Sequence, residues 1–167
     1  MKDPETSKKI IRIFDSFHIK SRRLSLIHTD LSKYSEKLMW SEKCSELDSF
    51  FNMYFVSDTI LLPAFTYSFC KTGVFDLEKT PSESGIFTEY FRKQKNTTRS
   101  SHPIFSFTGR GKDASLICNN IGKSATGDGS IFEKLKVFDA NLIFFGTNFI
   151  TSCTFLHYIE QCFRVNY

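Results

Sequence analysis

No run of this sequence approaches the roughly 20 consecutive apolar residues that cross a bilayer, so no membrane-spanning segment is expected. The N-terminus, MKDPETSKKIIRIF, carries acidic side chains where a secretory leader tolerates none, and no long apolar region follows. Cysteine occurs at 44, 70, 118, 153 and 162, without a CxxC pair and with one thiol left over. That pattern suits free thiols in a reducing cytoplasm and not a disulfide framework. Lysine and arginine exceed the acids by only four charges. So mild a balance suits an anionic ligand, but it supplies no dense basic stripe and argues against nucleic acid as the main partner. HExxH is absent. A metal-assisted hydrolase built on His28, Asp30, His102 and His157 would have to draw its ligands from separate strands, and no metal is expected. GxG occurs once, as Gly109-Arg110-Gly111, and opens no helix, so it is not a dinucleotide fingerprint.

What is present is enough for one domain with a real core: 167 residues, 41% hydrophobic, with phenylalanine unusually abundant at 19. Residues 5–17 read as an amphipathic helix on Ile10, Ile11, Ile13, Phe14 and Phe17. Leu24 to His28 reads as a strand ending at His28-Thr29-Asp30. That strand end suits ligand contacts in an α/β fold, though a turn-capping Thr-Asp is the commoner explanation. A helix is expected over 46–54, a strand over 59–62 stopped by Pro63, and a loop over 74–81. Ser82 to Gly85 opens a helix that ends in Arg92 and Lys93. Period-2 alternation predicts a half-buried strand over 104–108, and a second short strand is expected over 114–118. Residues 119–129, rich in Asn, Gly, Ser and Thr, read as loop, and Ile131 to Leu135 as a turn or two of helix. Strands alternating with helices and no internal repeat predict a layered α/β/α fold with a mixed sheet.

The chemistry points to the segment TSCTFLHYIEQ, residues 151–161. It follows Leu142-Ile143-Phe144-Phe145-Gly146, an apolar run that reads as a buried strand. Phe155, Leu156, Ile159, Cys162 and Phe163 form one helical stripe, and Thr151 and Ser152 sit where an N-cap belongs. Cys153, His157, Glu160 and Arg164 then share the opposite face. That face is either a solvated surface or a general-base histidine held by a carboxylate one turn on.

Several motifs recur in a family order: HTDL at 28–31, LLPAFTYSF at 61–69, TPSESGIFTEYFRK at 80–93, RSSHPIFSFTGRG at 99–111, DGSIFEKL at 128–135 and CTFLHYIE at 153–160. Over residues 24–167 the chain resembles the aminoglycoside 3-N-acetyltransferase family of antibiotic and amino-sugar acetyltransferases. The resemblance implies acetyl transfer from acetyl-CoA to an amino group of an aminoglycoside or amino sugar, directly and in a ternary complex. Antibiotic resistance and surface-polysaccharide biosynthesis are both compatible with it. It implies that His157 is the catalytic histidine, Glu160 its acidic partner and Thr154 the threonine before it. His28, Thr29 and Asp30 take the family's His-Ser-Ser place near the pantetheine arm. Arg99, Ser100, His102 and Ser106 border the cofactor, and Ser82 and Gly85 belong to a turn on the cofactor side. For His102 a structural role beside Pro103 stands level with a cofactor-site role.

The chain departs from the family at Cys153, where an Asn or another small polar residue is usual, and at Asp30, where Ser is usual. Family members also continue beyond the C-terminal Arg-Val-Asn-Tyr. An incomplete domain is therefore expected, with an unpaired edge inviting a homodimer.

A thioester is already activated, so the chain need supply no nucleophile. It must take a proton from an amine, a task that suits an imidazole with a carboxylate partner. Hydroxyls and N–H groups of residues 151–154 are candidate donors to the oxyanion. Cys153–His157–Glu160 also imitates a thiol triad, which would run through an acyl-cysteine. A third reading is a chain that binds coenzyme A, or a partner chain, without turnover.

Overall fold

The computed structural model describes residues 4–32, 34 and 38–165. The helices are α1 (Pro4–Ser16), α2 (Trp40–Tyr54), α3 (Phe69–Thr72), α4 (Ile86–Arg92), α5 (Ala114–Cys118), α6 (Ile131–Val137), α7 (Phe149–Ser152) and α8 (Phe155–Phe163). The strands are β1 (Leu24–Thr29), β2 (Thr59–Pro63), β3 (Thr98–Arg99), β4 (Phe107–Arg110) and β5 (Asn141–Phe145). They make one mixed sheet in the order β3-β4-β2-β1-β5. β1 is parallel to both β2 and β5, while β4 runs antiparallel to β2 and β3.

β1 and β2 are buried on both faces, which is why they are mostly apolar along their length. Ile27, Ile60 and Leu62 face a layer of α1, α2 and α4 through Phe14, Leu47, Phe50, Phe51, Phe87 and Phe91. Leu24, Leu26 and Leu61 face the other layer, with Phe107, Ile117, Phe132, Leu135 and Tyr158. The phenylalanines meet edge-to-face, as Phe51 does Phe87 and Phe107 does Phe132. The result is the expected α/β/α arrangement.

Four local readings change. Helix α2 starts six residues early, at Trp40, where the Glu42 carboxylate accepts the Met39 amide at 3.1 Å. Residues 114–118 are helical, because Ala114, Ile117 and Cys118 bury one stripe at i, i+3 and i+4. The strand expected over 104–108 forms only from Phe107. Upstream, His102 Nδ1 accepts the amides of Ile104 and Phe105 and takes them out of the ladder. At the C-terminus the helix breaks in two. Asn148, not Thr151 or Ser152, caps α7 by accepting the Thr151 amide, and Cys153 turns the chain before α8. The break rotates the expected stripe outward: Tyr158 is buried and Phe155 half-buried, while Ile159 and Phe163 are exposed.

Candidate active site

β1, β2 and β5 all point their carboxyl ends the same way, and β1 sends its two parallel neighbours to opposite sides. Crevices outside such a switch point are where open α/β sheets bind ligands. Beyond β5, Gly146 turns at φ 74° and packs its bare Cα against the Asp30 carbonyl, which no side chain would permit. The strand ends open on a cleft of about 270 Å³ bounded by His28, Thr29, Pro63, Phe65, Tyr67, Glu83, Ser84, Thr88, Thr147, Thr151, Ser152 and Thr154.

The cleft is a hydroxyl surface with one imidazole. His28 is 7% exposed and stacked on Phe144, with ring centroids 5.4 Å apart. Burial pulls its pKa down to about 4, so the ring is neutral at physiological pH. The Thr154 hydroxyl is buried with no hydrogen-bond partner among the described residues. Thr147 and Ser152 hydroxyls bond each other at 2.6 Å, and Ser84 accepts the Phe65 amide. Glu83 accepts the Ser68 amide, which holds the Ser82–Gly85 turn against the strand end.

The depressed His28 pKa has a consequence for stability. The unfolded chain takes up this proton near pH 6.5, whereas the folded chain resists it until about pH 4. Stability is therefore full above about pH 6.5 and lost as pH falls through that window, by about 3 kcal/mol. Urea titrations at pH 7 and pH 4.5 should show this acid limb in the wild type. It should shrink in a His28→Phe variant.

His157 and Glu160 stand on the neighbouring surface. His157 Nδ1 lies 3.0 Å from Glu160 Oε2, with the two side chains 62% and 33% exposed. A carboxylate only accepts, so the bond puts a hydrogen on Nδ1, and in the neutral ring Nε2 is then the nitrogen with the lone pair a base needs. The pair lines a second cleft, of about 630 Å³, with Phe105, Ala125, Thr126, Gln161, Arg164 and Val165. Thr126 hydrogen-bonds Gln161 and so ties the 119–129 loop to α8. The two clefts share a wall. Thr154 borders the first, its carbonyl accepts the His157 amide, and Phe105 packs on both Phe65 and Tyr67.

The structure brings together His28, Thr29, Thr151, Ser152 and Thr154, but not every residue the resemblance placed beside the cofactor. Arg99, Ser100 and Ser106 are buried at 8%, 0% and 0% exposure and form a knot inside the wall. Arg99 donates five hydrogen bonds: to Ser106 Oγ, to the Leu77, Thr80 and Ala64 carbonyls, and to Thr66 Oγ1. Burial, helped by Arg92, pulls its guanidinium down to about 10, still charged at neutral pH. Ser100 Oγ accepts the Phe107 amide and Ser106 Oγ donates to the Ala64 carbonyl. Asp30 is exposed, and its carboxylate caps the Ser32 amide. Ser82 Oγ accepts the Ser84 amide, and His102 holds the 102–105 turn. Neither Ser82 nor His102 borders the cleft. Phe65 and Tyr67 do border it, from an aromatic, hydroxyl-rich segment whose sequence suits either pocket lining or packing; Pro63, Glu83, Ser84, Thr88 and Thr147 border it too, and sequence reasoning misses these five. For Thr147 the available signal is its place just past a buried strand.

Cys153 is 8% exposed, and burial pushes its thiol pKa up. It lies before α8 starts, off the helix face that carries His157. Among the described residues no group of three His, Cys, Asp or Glu side chains is arranged to hold a metal, and no helix is long and apolar enough to cross a membrane.

This is an α/β fold with a strand-end cleft and a histidine–carboxylate pair beside it. Residues 26–167 match the sequence profile of the aminoglycoside 3-N-acetyltransferases. The chain belongs to that family, one of acyltransferases. No curated protein matches it. Among solved structures it is similar to the YokD protein of Bacillus subtilis, with TM-score 0.77, 20% identity, and 96% of this chain and 71% of that one covered. It is also similar to AAC-IIIb, solved as a binary complex with CoASH, with TM-score 0.69, 19% identity and coverage of 84% and 58%. AAC-VIa bound to sisomicin gives TM-score 0.76, 17% identity and coverage of 92% and 64%. The chain thus spans between 58% and 71% of these three chains.

Proposed function

We propose that this chain transfers the acetyl group of acetyl-CoA to an amino group of an aminoglycoside or related amino sugar, with His157 as general base. The observation that carries the reading is the His157–Glu160 hydrogen bond of 3.0 Å at the rim of a cleft that shares a wall with the strand-end crevice. The thioester end of the cosubstrate enters the hydroxyl-lined crevice, and the acceptor amine enters beside His157. The amine attacks the thioester carbonyl, a C–N bond forms and the C–S bond breaks. His157 Nε2 takes the proton the amine loses, and the departing thiolate picks one up. Glu160 holds the ring in the tautomer that leaves Nε2 free and stabilises the imidazolium. Five free cysteines suit the reducing cytoplasm in which the cosubstrate occurs.

The test is an assay of thiol release from acetyl-CoA over a panel of aminoglycosides and deoxyamino sugars, beside calorimetry with coenzyme A. Release that requires an acceptor supports the reading. Coenzyme A binding with no release on any acceptor would replace it with a binding-only protein. Direct transfer also predicts that Cys153→Ser keeps kcat within about threefold of wild type, because a buried thiol with a raised pKa is a poor nucleophile. A labelled acetyl group trapped on Cys153 would overturn direct transfer.

A further inference from the structure

We propose that His28 is a catalytic hydrogen-bond donor, its imidazole N–H binding the thioester carbonyl oxygen as negative charge builds there. The inference rests on the acetyl-transfer reading and adds to it the group that answers the developing oxyanion.

Among the described residues no lysine or arginine lines the crevice at the strand ends. Its only carboxylate, Glu83, already accepts the Ser68 amide. Four of its hydroxyls bond within the protein, Thr147 and Thr151 with Ser152 and Ser84 with the Phe65 amide. Among the lining side chains His28 alone carries a ring nitrogen, and no hydrogen bond within the described residues engages that ring. Stacking on Phe144 fixes the plane of the imidazole, and the position at the end of β1 fixes its depth. A donor held in advance and shielded from water answers charge that appears only in the transition state, and it needs no reorganisation when the charge appears. Neutrality is an advantage here. A neutral imidazole polarises a carbonyl without surrendering its proton to the thiolate, a role known for buried histidines elsewhere. Thr154 Oγ1, buried without a partner on the same wall, is placed as the second donor.

The division of labour is therefore unequal for the two histidines. His157, exposed and bonded to a carboxylate, takes a proton; His28, buried and unbonded, lends one without losing it.

Two measurements test this. In steady state, His28→Phe preserves ring stacking but removes the donor. It should lower kcat by about 10²-fold, the usual cost of one oxyanion donor, with KM for acetyl-CoA nearly unchanged. His28→Gln, which restores an N–H, should recover part of the loss. In binding, wild-type protein with ¹⁵N-labelled histidine rings is titrated with the ketone analogue of acetyl-CoA, in which a methylene replaces the thioester sulfur, and separately with coenzyme A. The His28 N–H signal should move downfield with the ketone and not with coenzyme A, which lacks the carbonyl. A His28→Phe enzyme with wild-type kcat overturns the proposal. So does a His28 signal unmoved at ketone saturation, or a ketone that does not bind. A wild-type protein that shifts the signal yet acetylates nothing leaves His28 as the carbonyl donor and removes the turnover reading instead.

Discussion

A His157→Ala variant loses about 10² to 10⁴-fold in kcat/KM for acetyl transfer while its melting temperature stays nearly that of wild type. The size of the loss is what removal of a positioned general base costs. The unchanged stability follows from exposure. The His157 side chain is 62% exposed and its one bond, to Glu160, lies on the surface, where an ion pair contributes little. Glu160→Gln should fall between, since glutamine can accept the Nδ1 hydrogen but offers no charge to the imidazolium. Steady-state rates with one good acceptor, alongside a thermal melt, check both. An alanine variant that turns over like wild type would leave His157 as a surface residue.

Arg99→Ala should destabilise the fold severely, by about 4 kcal/mol. The guanidinium is buried and surrounded by five neutral acceptors, so its removal takes a donor from three carbonyls in two segments, Ala64 after β2 and Leu77 and Thr80 in the 74–81 loop. It also releases Thr66 and Ser106, the latter the link between β4 and the strand end at Ala64. Lysine cannot repair this. Its three donors radiate from one point and reach one side of the knot only, so Arg99→Lys should keep less than half of the stability. For a chain of this length the alanine variant should melt roughly 10 °C or more below wild type. Chemical denaturation at neutral pH gives the comparison directly. A loss under about 1 kcal/mol would mean that the acceptors find water, and that the knot is not what holds the wall of the strand-end cleft.

How much of the fold and the site is legible in the residues depends on what each one's neighbours do. β1 and β2 can be read because strands buried on both faces are mostly apolar along their length, and β5 because Leu142 to Phe145 is an apolar run, although this edge strand buries only Ile143. The His157–Glu160 pair can be read because three residues on a helix is a fixed distance. The 114–118 segment cannot, because five residues are too short for period 2 and period 3.6 to differ. The stripe on α8 is misplaced by a helical wheel, which assumes an unbroken helix, whereas the turn at Cys153 resets its phase. Tyr158, the residue that buries instead, has a polar tip that disguises an apolar body. His28 and Thr29 fall at the cleft since strand ends are where such clefts form. Thr88, Ser84 and Thr147 are hydroxyl residues among many, and only the fold selects them. Arg99 shows the reverse: an arginine in a loop motif reads as a ligand contact until its five partners are seen to be the protein itself.

All of this chemistry depends on an acetyl group moving from a thioester to an amine at the His157 cleft. Mass spectrometry of an aminoglycoside incubated with acetyl-CoA and this chain, with thiol release counted in parallel, tests that step without intermediaries. Wild type should give one acetylated amine for each thiol released, and His157→Ala almost none of either. Thioester cleavage yielding free acetate and an unmodified acceptor, or equal acetylation by both proteins, would contradict it.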